Sequence, residues 1–378
     1  MFPAWEKEML RRNLSIIVVS CWIVAGSCLA EETQVDDVLS KIEQAASGER
    51  EAASSIYDAV AEGIKKNPAE VSKRLLSRLQ DKGLTERQLA VYVWALGLTN
   101  EQAATAPIID LHRRSQSTLV KQNCLRALAT IGGKEAEKYL LSVLDAITDS
   151  EMRFNILNLL GQMQCEAALP KMEEVLRKAP QKFYWQSIFV FGKMGDKAVP
   201  FLVQKVGNKD RNVRANAIIV LGWLIAPEGA KPLQEQFWKE ADAELRGVIM
   251  DSLLRIITDP IQVRSFCEEV VAKEKDENLV KRARRAIESV DHVKAAVASA
   301  AKAKHVSEDS FQREYAELYN SAGKKGDYKA LAAASTIDDE PKLKALRERI
   351  LQRDSDEAFY DYQKVNDIIL LNRMIGRD

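Results

Sequence analysis

The sequence predicts an all-α fold in which two-helix repeats stack into a right-handed α-α superhelix, followed by a helical C-terminal cap. Three observations support this prediction. Apolar residues recur at helical spacing along most of the chain, and no segment alternates with period 2 for long. A Leu-Gly step recurs about every 32 residues, and a period in this range indicates a solenoid. After residue 305 the repeat is lost, although helical patterns continue.

Each repeat begins with a charged motif and contains a small residue near the end of its first helix. A basic residue precedes the Leu-Gly step by eight positions, and an acid precedes three of the basic residues by four. We expect the acid to cap the helix and the arginine to bond turn carbonyls or the acid of an adjacent repeat. The aligned small positions are Gly97, Ala129, Gly161, Gly192, Gly222 and Leu254; the basic ones are Lys121, Arg153, Arg214 and Arg246; the acids are Asp149, Asp210 and Asp242.

The stretch Asp210-x-x-Val213-Arg214, followed by Ala217 and Leu221-Gly222, resembles the HEAT-repeat family, in particular its short repeats named after phycobilisome lyases. The resemblance covers about residues 50–305, and Tyr184, Ala129 and Leu254 depart from the motif. It implies an α-solenoid and indicates architecture rather than function. Matching copies are Asp149, Met152-Arg153 and Leu160-Gly161, and Asp242 and Leu245-Arg246.

The chain divides into three predicted parts: a targeting segment (1–30), a HEAT-like α-solenoid (31–305) and a helical C-terminal module (306–378). The module is interpreted as a cap, since terminal repeats must hide an exposed face. A separate helical module with its own partner is the alternative. The aromatic stripe Phe311, Tyr315 and Tyr319 favours packing within the module.

The first 30 residues have the features of an export signal. Arg11 and Arg12 precede the apolar stretch 14–26, and small residues allow cleavage after Ala30. A lipoprotein signal is a second interpretation, because Ala25-Gly26-Ser27-Cys28 resembles a lipobox and would make Cys28 an acylated N-terminus. An uncleaved anchor is a third. All three export the chain, which favours the periplasm or cell envelope and permits membrane tethering through the N-terminus; a eukaryotic secretory origin stays open.

The charge balance argues against two classes of partner, and the cysteine pattern predicts the state of the thiols. Lys plus Arg equals Asp plus Glu at 55 each, so no global field attracts nucleic acid or an anionic membrane. Cys124, Cys165 and Cys267 lie in apolar helical runs without C-x-x-C spacing. We expect them to be buried free thiols.

No arrangement of residues predicts catalysis. His112, His292 and His305 lie beyond helical reach of one another, and the paired His-Glu steps of HEAT-like di-iron hydroxylases are missing. His112 is expected to be solvated. The sequence also lacks a G-x-S-x-G elbow and a P-loop. We therefore expect no metal, no cofactor and no enzyme activity, with a lyase-type activity, implied by the resemblance alone, as the alternative.

In HEAT arrays the Val-Arg helices line the concave side, so the resemblance places a partner there. Positions +2, +5 and +9 from the basic marker form a stripe that faces away from the core. We expect Phe189, Ile219 and Trp223 to be exposed anchors on an otherwise polar face; packing against a neighbouring helix is the alternative. The candidate partner-binding residues are Asn123, Arg126, Asn155, Asn158, Gln162, Gln186, Phe189, Lys193, Asn216, Ile219, Trp223, Asp251 and Arg255.

These features predict an exported, monomeric, non-catalytic scaffold that binds a protein or peptide through its concave face. Two alternatives stay open. One is a HEAT-like enzyme or enzyme subunit of the lyase type. The other is a binder of an envelope polymer, because rows of Asn and Gln can bond glycans.

Overall fold

The structure is a computed structural model that describes residues 33–47, 53–177, 180–304, 307–320, 327–353 and 356–376. These residues are mainly helical and include no strand, so the predicted all-α, HEAT-like fold class is confirmed. The predicted targeting segment (1–30), with Cys28, lies outside the described residues. Among the helices that the structure describes, none is both long and apolar enough to cross a membrane.

The helices form two compact units, Met1–Thr148 and Asp149–Asp378. The predicted C-terminal module therefore belongs to the same compact unit as the repeats from Asp149 onward. The first unit contains α1 (33–47), α2 (Ala53–Ile64), α3 (Pro68–Arg78), α4 (Glu86–Thr99), α5 (Thr105–Arg114), α6 (Thr118–Ile131) and α7 (Gly133–Ala146). The repeats of the second unit contain α8 (Ser150–Gln162), α9 (Leu169–Arg177), α10 (Pro180–Met194), α11 (Val199–Lys205), α12 (Arg211–Trp223), α13 (Ala230–Lys239), α14 (Ala243–Ile256), α15 (Pro260–Lys273) and α16 (Glu277–Ala303).

In the second unit the first helices of successive repeats pack side by side. The series α8, α10, α12, α14 and α16 is called the first-helix row below. The second helices, α9, α11, α13 and α15, pack against members of this row. Both sets carry an apolar stripe, through which each repeat packs against its neighbours.

The charged motif has the structural role that the sequence predicts. Asp210 caps α12 by accepting hydrogen bonds from the backbone N–H groups of Asn212 (2.9 Å) and Val213 (3.3 Å). Arg214 donates to the carbonyl of Asn208 (2.7 Å) and, from Nε, to the Glu240 carboxylate (2.7 Å). The carboxylate partner of this arginine is thus a buried glutamate at the end of the second helix of the same repeat, rather than an aspartate of an adjacent one.

The arginines of the other complete copies of the motif also pair with a glutamate. Arg246 pairs with Glu274 (3.0 Å), and Arg153 pairs with Glu174 (3.0 Å). Burial on its own would raise the pKa of Glu240, but hydrogen bonds from Arg214, the Asp242 backbone and Gln236 hold it below the ordinary value. The arginine of the motif therefore joins the first helix of a repeat to the second helix of the same repeat.

The glycines of the Leu-Gly step sit where helices approach closely. A Cβ atom added to Gly222 would lie 3.0 Å from Ser252 Cα, and one added to Gly161 would lie 2.8 Å from the Val190 carbonyl oxygen. Three residues after the step the backbone turns into the left-handed region in five repeats. The residues with positive φ there are Asn100 (59°), Gly132 (70°), Gln164 (52°), Gly195 (59°) and Ile225 (48°). Ile225 is the unusual member, because a β-branched residue rarely adopts this conformation.

The C-terminal helices of the second unit are α17 (Glu308–Asn320), α18 (Tyr328–Ala334), α19 (Glu340–Leu351) and α20 (Asp356–Ile375). They pack along several repeats rather than on the last one alone. Helix α19 packs on α10, and α20 packs on α16, α18 and α19. Phe311 is buried against Tyr315, as the aromatic stripe predicts, whereas the Tyr319 side chain lies outside the described residues.

The cysteine prediction is confirmed and the histidine prediction is wrong in one respect. Cys124, Cys165 and Cys267 are buried free thiols, and burial raises the pKa of Cys124 to about 12. His112 is half-buried rather than solvated, with Nδ1 2.8 Å from the Tyr139 hydroxyl oxygen. Burial, followed by the charges of nearby basic residues, lowers the His112 pKa.

Candidate functional site

The C-terminal end of α12 is bonded by side chains of the C-terminal helices. The last carbonyls of a helix have no partner within the helix and need one from outside. Here three consecutive carbonyls receive side-chain hydrogen bonds from α19 and α20, so these helices are bonded to the C-terminal end of α12, the middle helix of the first-helix row. The bonds run from Tyr362 Oη (3.1 Å) and Asn366 Nδ2 (2.8 Å) to the Trp223 oxygen, from Arg347 Nη1 (3.1 Å) to the Leu224 oxygen, and from Arg373 Nη1 (2.8 Å) to the Ile225 oxygen.

Trp223 is not the exposed anchor that the sequence predicts. Its indole is only 8% exposed, with the Phe359 ring centroid 4.7 Å away and the Arg255 guanidinium carbon 4.3 Å from its own centroid. Phe189 is half-buried, with its ring centroid 6.4 Å from that of Phe359, and Ile219 is also half-buried. For Trp223 the packing alternative holds, and its neighbour comes from α20, more than 130 residues further along the chain.

Two other predicted outward residues point into the protein. Asn216 is fully buried and donates from Nδ2 to the Leu176 carbonyl (2.8 Å). Lys193 is 3% exposed, and its ammonium donates to Asn158 Oδ1 (2.9 Å). Both side chains bond neighbouring helices of the second unit, so the prediction that they face a partner is wrong on geometric grounds.

The remaining candidates are accessible to different degrees. In the first unit, Arg126 is exposed and Asn123 is half-buried; Asn123 bonds the Leu119 carbonyl on its own helix (2.9 Å). The Gln186 side chain lies outside the described residues. In the second unit the accessible candidates flank the covered helices α10 and α12: Asn155 (exposed), Asn158 and Gln162 (half-buried) on α8, and Asp251 and Arg255 (exposed) on α14.

Beside Asp251 a cleft of about 520 Å³ opens between α14, α15 and α16, and we name it the α14–α16 cleft. Its size lies within the range of ligand-binding pockets. Val293, on the α16 side, is 39% exposed. The apolar residues that line the cleft are Leu254, Ile257, Pro260, Val263, Ala286, Val290, Val293 and Met374.

The charged groups of the cleft are Asp251, Arg282 and Arg285. Arg282 Nη1 bonds both carboxylate oxygens of Asp251 (2.8 and 2.9 Å). Arg285 is exposed and forms no hydrogen bond or ion pair with any residue that the structure describes. The cleft thus places beside an apolar surface a guanidinium that has no acceptor among the described residues.

Sequence reasoning missed the α16 side of this cleft because α16 carries only a weak copy of the repeat motif. A signal was nevertheless present in its spacing. Arg282, Arg285, Ser289 and Val293 recur at three- and four-residue intervals and so share one face of the helix.

A second cavity, of about 450 Å³, lies where α19 meets the end of α10. Its charged groups pair with one another: Lys344 bonds Asp196 (2.6 Å) and Glu340 (3.2 Å). Burial raises the pKa of Glu348, which accepts a hydrogen bond from Gln164 (2.9 Å). We interpret these charges as part of the contact between α19 and the repeats. Within the described ranges, no three His, Cys, Asp or Glu side chains cluster as metal ligands would.

Comparison with known proteins agrees with this architecture. The family described as HEAT repeats matches residues 105–185 and 174–254. The chain therefore contains HEAT repeats over residues 105–254. No curated protein matches it.

Two solved structures are similar to this HEAT-repeat protein. One is the complex of CpcE and CpcF of phycocyanin lyase from Nostoc sp. PCC7120, with 16% identity, a TM-score of 0.30, and coverage of 66% of this chain and 94% of that one. The other is human deoxyhypusine hydroxylase in complex with glycerol, with 13% identity, a TM-score of 0.28, and coverage of 70% and 99%. At such low similarity, neither structure says what this chain binds or does.

Proposed function

We propose that this HEAT-repeat protein is a non-catalytic scaffold that binds a protein or peptide partner on α14 and α16, around the α14–α16 cleft. The observation that carries the proposal is the cleft itself. It combines apolar walls, an accessible mouth and charged groups at one end. Apolar contacts surrounded by polar groups are the usual composition of a protein-binding site.

The covered part of the first-helix row argues for the same location. Burial of Trp223 and the bonds to the end of α12 leave no open apolar surface on that helix end. A partner that approaches this row meets the C-terminal helices first and then α14 and α16. Asp251 lines the cleft and Arg255, on the same helix, packs on Trp223, so we keep for both the partner-binding role that the sequence assigned to them. Asn155, Asn158 and Gln162 on α8 would supply hydrogen bonds to a longer partner.

Photo-crosslinking of the full chain tests this proposal. A photoreactive residue replaces Val293, and a second variant carries it at Lys231, an exposed residue of α13 outside the cleft. The chain is produced in its own cells, irradiated, and the adducts are identified by mass spectrometry. We expect one defined adduct at position 293 that is missing at position 231.

The identified protein is then purified and its affinity measured. Binding that is lost in Val293→Asp and retained in Lys231→Asp supports the proposal. Equal binding to both variants, or the same adducts at both positions, contradicts it.

We also propose that the chain is exported to the periplasm or cell envelope, on the basis of the residues before Glu31. The mass of the mature protein tests this and separates the two processing routes. Cleavage after Ala30 gives an unmodified N-terminus at Glu31, whereas lipoprotein processing gives an acylated Cys28 and membrane tethering. A full-length chain that stays in the cytoplasmic fraction contradicts export.

A further inference from the structure

The two ends of the α14–α16 cleft differ in chemistry. Arg282 and Arg285 lie at one end of the α16 face, and Val290 and Val293 at the other. Eight residues separate Arg285 from Val293, which corresponds to a rise of about 12 Å along the helix. A bound segment that satisfied both ends would need an anion and an apolar side chain roughly one and a half to two helical turns apart.

The charge of this surface is positive. Residues 281–285 read Lys-Arg-Ala-Arg-Arg, so four of five side chains are cationic, and the two on the cleft face are Arg282 and Arg285. Arg282 is already paired with Asp251. Arg285 has five donor hydrogens in a planar group and no acceptor among the described residues, which suits a carboxylate in a bidentate arrangement.

We propose that the partner segment is an acidic amphipathic helix that places a carboxylate on Arg285 and an apolar side chain in the cleft between Val290, Val293 and Val263. This inference rests on the proposed function and specifies the partner for the same site. Its basis is charge complementarity with Arg285, which has no acceptor among the described residues, and the position of the apolar walls. Helices that lay an apolar face in a groove commonly use anchors spaced by three, four or seven residues.

A selection of helical peptides tests the proposal directly. A random display library is selected against the full-length protein, and the enriched peptides are synthesised and titrated by fluorescence anisotropy. We expect a consensus with Asp or Glu roughly one and a half to two turns from a Leu, Ile or Phe. We expect binding to be lost in Val293→Asp and retained in Ala298→Asp, an exposed position on the same helix outside the cleft.

The charge contact has its own matched pair. Arg285→Glu should weaken the acidic peptide by about tenfold or more, as loss of a charge-assisted hydrogen bond implies. Arg284→Glu makes the same change in net charge on an exposed residue that does not line the cleft, and should leave the affinity within about twofold. A peptide with its acid replaced by Lys should regain affinity for Arg285→Glu.

The outcomes separate this inference from the proposed function. The proposal of an acidic helix is wrong if the selected peptides require Val293 but are uncharged or basic. It is also wrong if their affinity is unchanged in Arg285→Glu. Either result leaves the proposed binding site in place. Peptides that bind equally well to Val293→Asp overturn both. Analytical ultracentrifugation tests whether a second copy of the chain occupies the cleft. Self-association that is abolished by Val293→Asp would show that it does, and would overturn the acidic helix.

Discussion

Removing the Phe359 ring should loosen the C-terminal helices from the repeats. Phe359 is 7% exposed, with ring centroids 4.7 Å from Trp223, 6.4 Å from Phe189 and 6.4 Å from Tyr362. Burial of a phenylalanine side chain removes apolar surface from water and so stabilises the fold by roughly 4 kcal/mol. Phe→Ala substitutions in protein cores reduce stability by about 3–5 kcal/mol. We take about 3 kcal/mol for Phe359→Ala, because α20 can partly close the gap.

Hydrogen–deuterium exchange with mass spectrometry measures this loss without requiring two-state unfolding of a chain with two compact units. A loss of about 3 kcal/mol accelerates exchange that depends on release of α20 on the order of 100-fold. We expect the acceleration in peptides from α20 and from the end of α12, whose carbonyls α20 bonds.

The adjacent residue supplies the control. Tyr360 lies on the same helix and is 65% exposed, so Tyr360→Ala should change stability by no more than about 0.5 kcal/mol. If Phe359→Ala and Tyr360→Ala exchange alike, the contact between α20 and Trp223 does not hold the C-terminal helices in place, and the reasoning fails.

Three further predictions concern the repeats. Gly222→Ala forces α12 away from the Ser252 backbone and should destabilise the second unit by about 1–3 kcal/mol, measured by urea denaturation. Gly207→Ala should cost less, because the added Cβ would lie 3.5 Å from its nearest atom. Equal losses of stability in the two variants would contradict the close approach of α12 to Ser252. Because folding lowers the pKa of Glu240, its stabilising effect is present above its ordinary pKa of 4.5 and is lost as pH falls through the folded value. Glu240→Gln should therefore reduce the dependence of the free energy of unfolding on pH in the acidic range, measured by urea denaturation at several pH values. The same substitution at the exposed Glu235 should leave this dependence unchanged. Cys124, Cys165 and Cys267 should resist a thiol reagent at pH 8 until the chain is denatured; rapid native labelling at these three positions, located by peptide mass spectrometry, would contradict their burial.

The sequence was sufficient to predict the repeats because they are local. Asp210 and Arg214 recur with their helix, and the Leu-Gly step marks close packing, so each feature is visible within one period. The glutamate that completes the ion pair was missed, because Glu240 lies 26 residues after Arg214 and Glu174 lies 21 after Arg153, with no fixed spacing to recognise.

The partner-binding face was predicted less well, for a topological reason. Helical periodicity identifies which residues share one face of a helix. It contains no information about which distant segment of the chain packs on that face. Phe359 and Tyr362 contact Trp223 across about 140 residues of chain. The unusual backbone of Ile225 belongs to the same contact, because Arg373 bonds its carbonyl where earlier repeats have Gly or a flexible polar residue.

The most direct test of this account is the solvent accessibility of Trp223 in the full chain. The tryptophans at positions 5, 22, 94, 185 and 238 are replaced by phenylalanine, and the remaining fluorescence is titrated with acrylamide. The account predicts blue-shifted emission and weak quenching, because Phe359 and Arg255 enclose the indole, and stronger quenching in Phe359→Ala. Quenching as strong as that of free tryptophan would contradict it, since the end of α12 would then be open and the C-terminal helices would not cover the first-helix row.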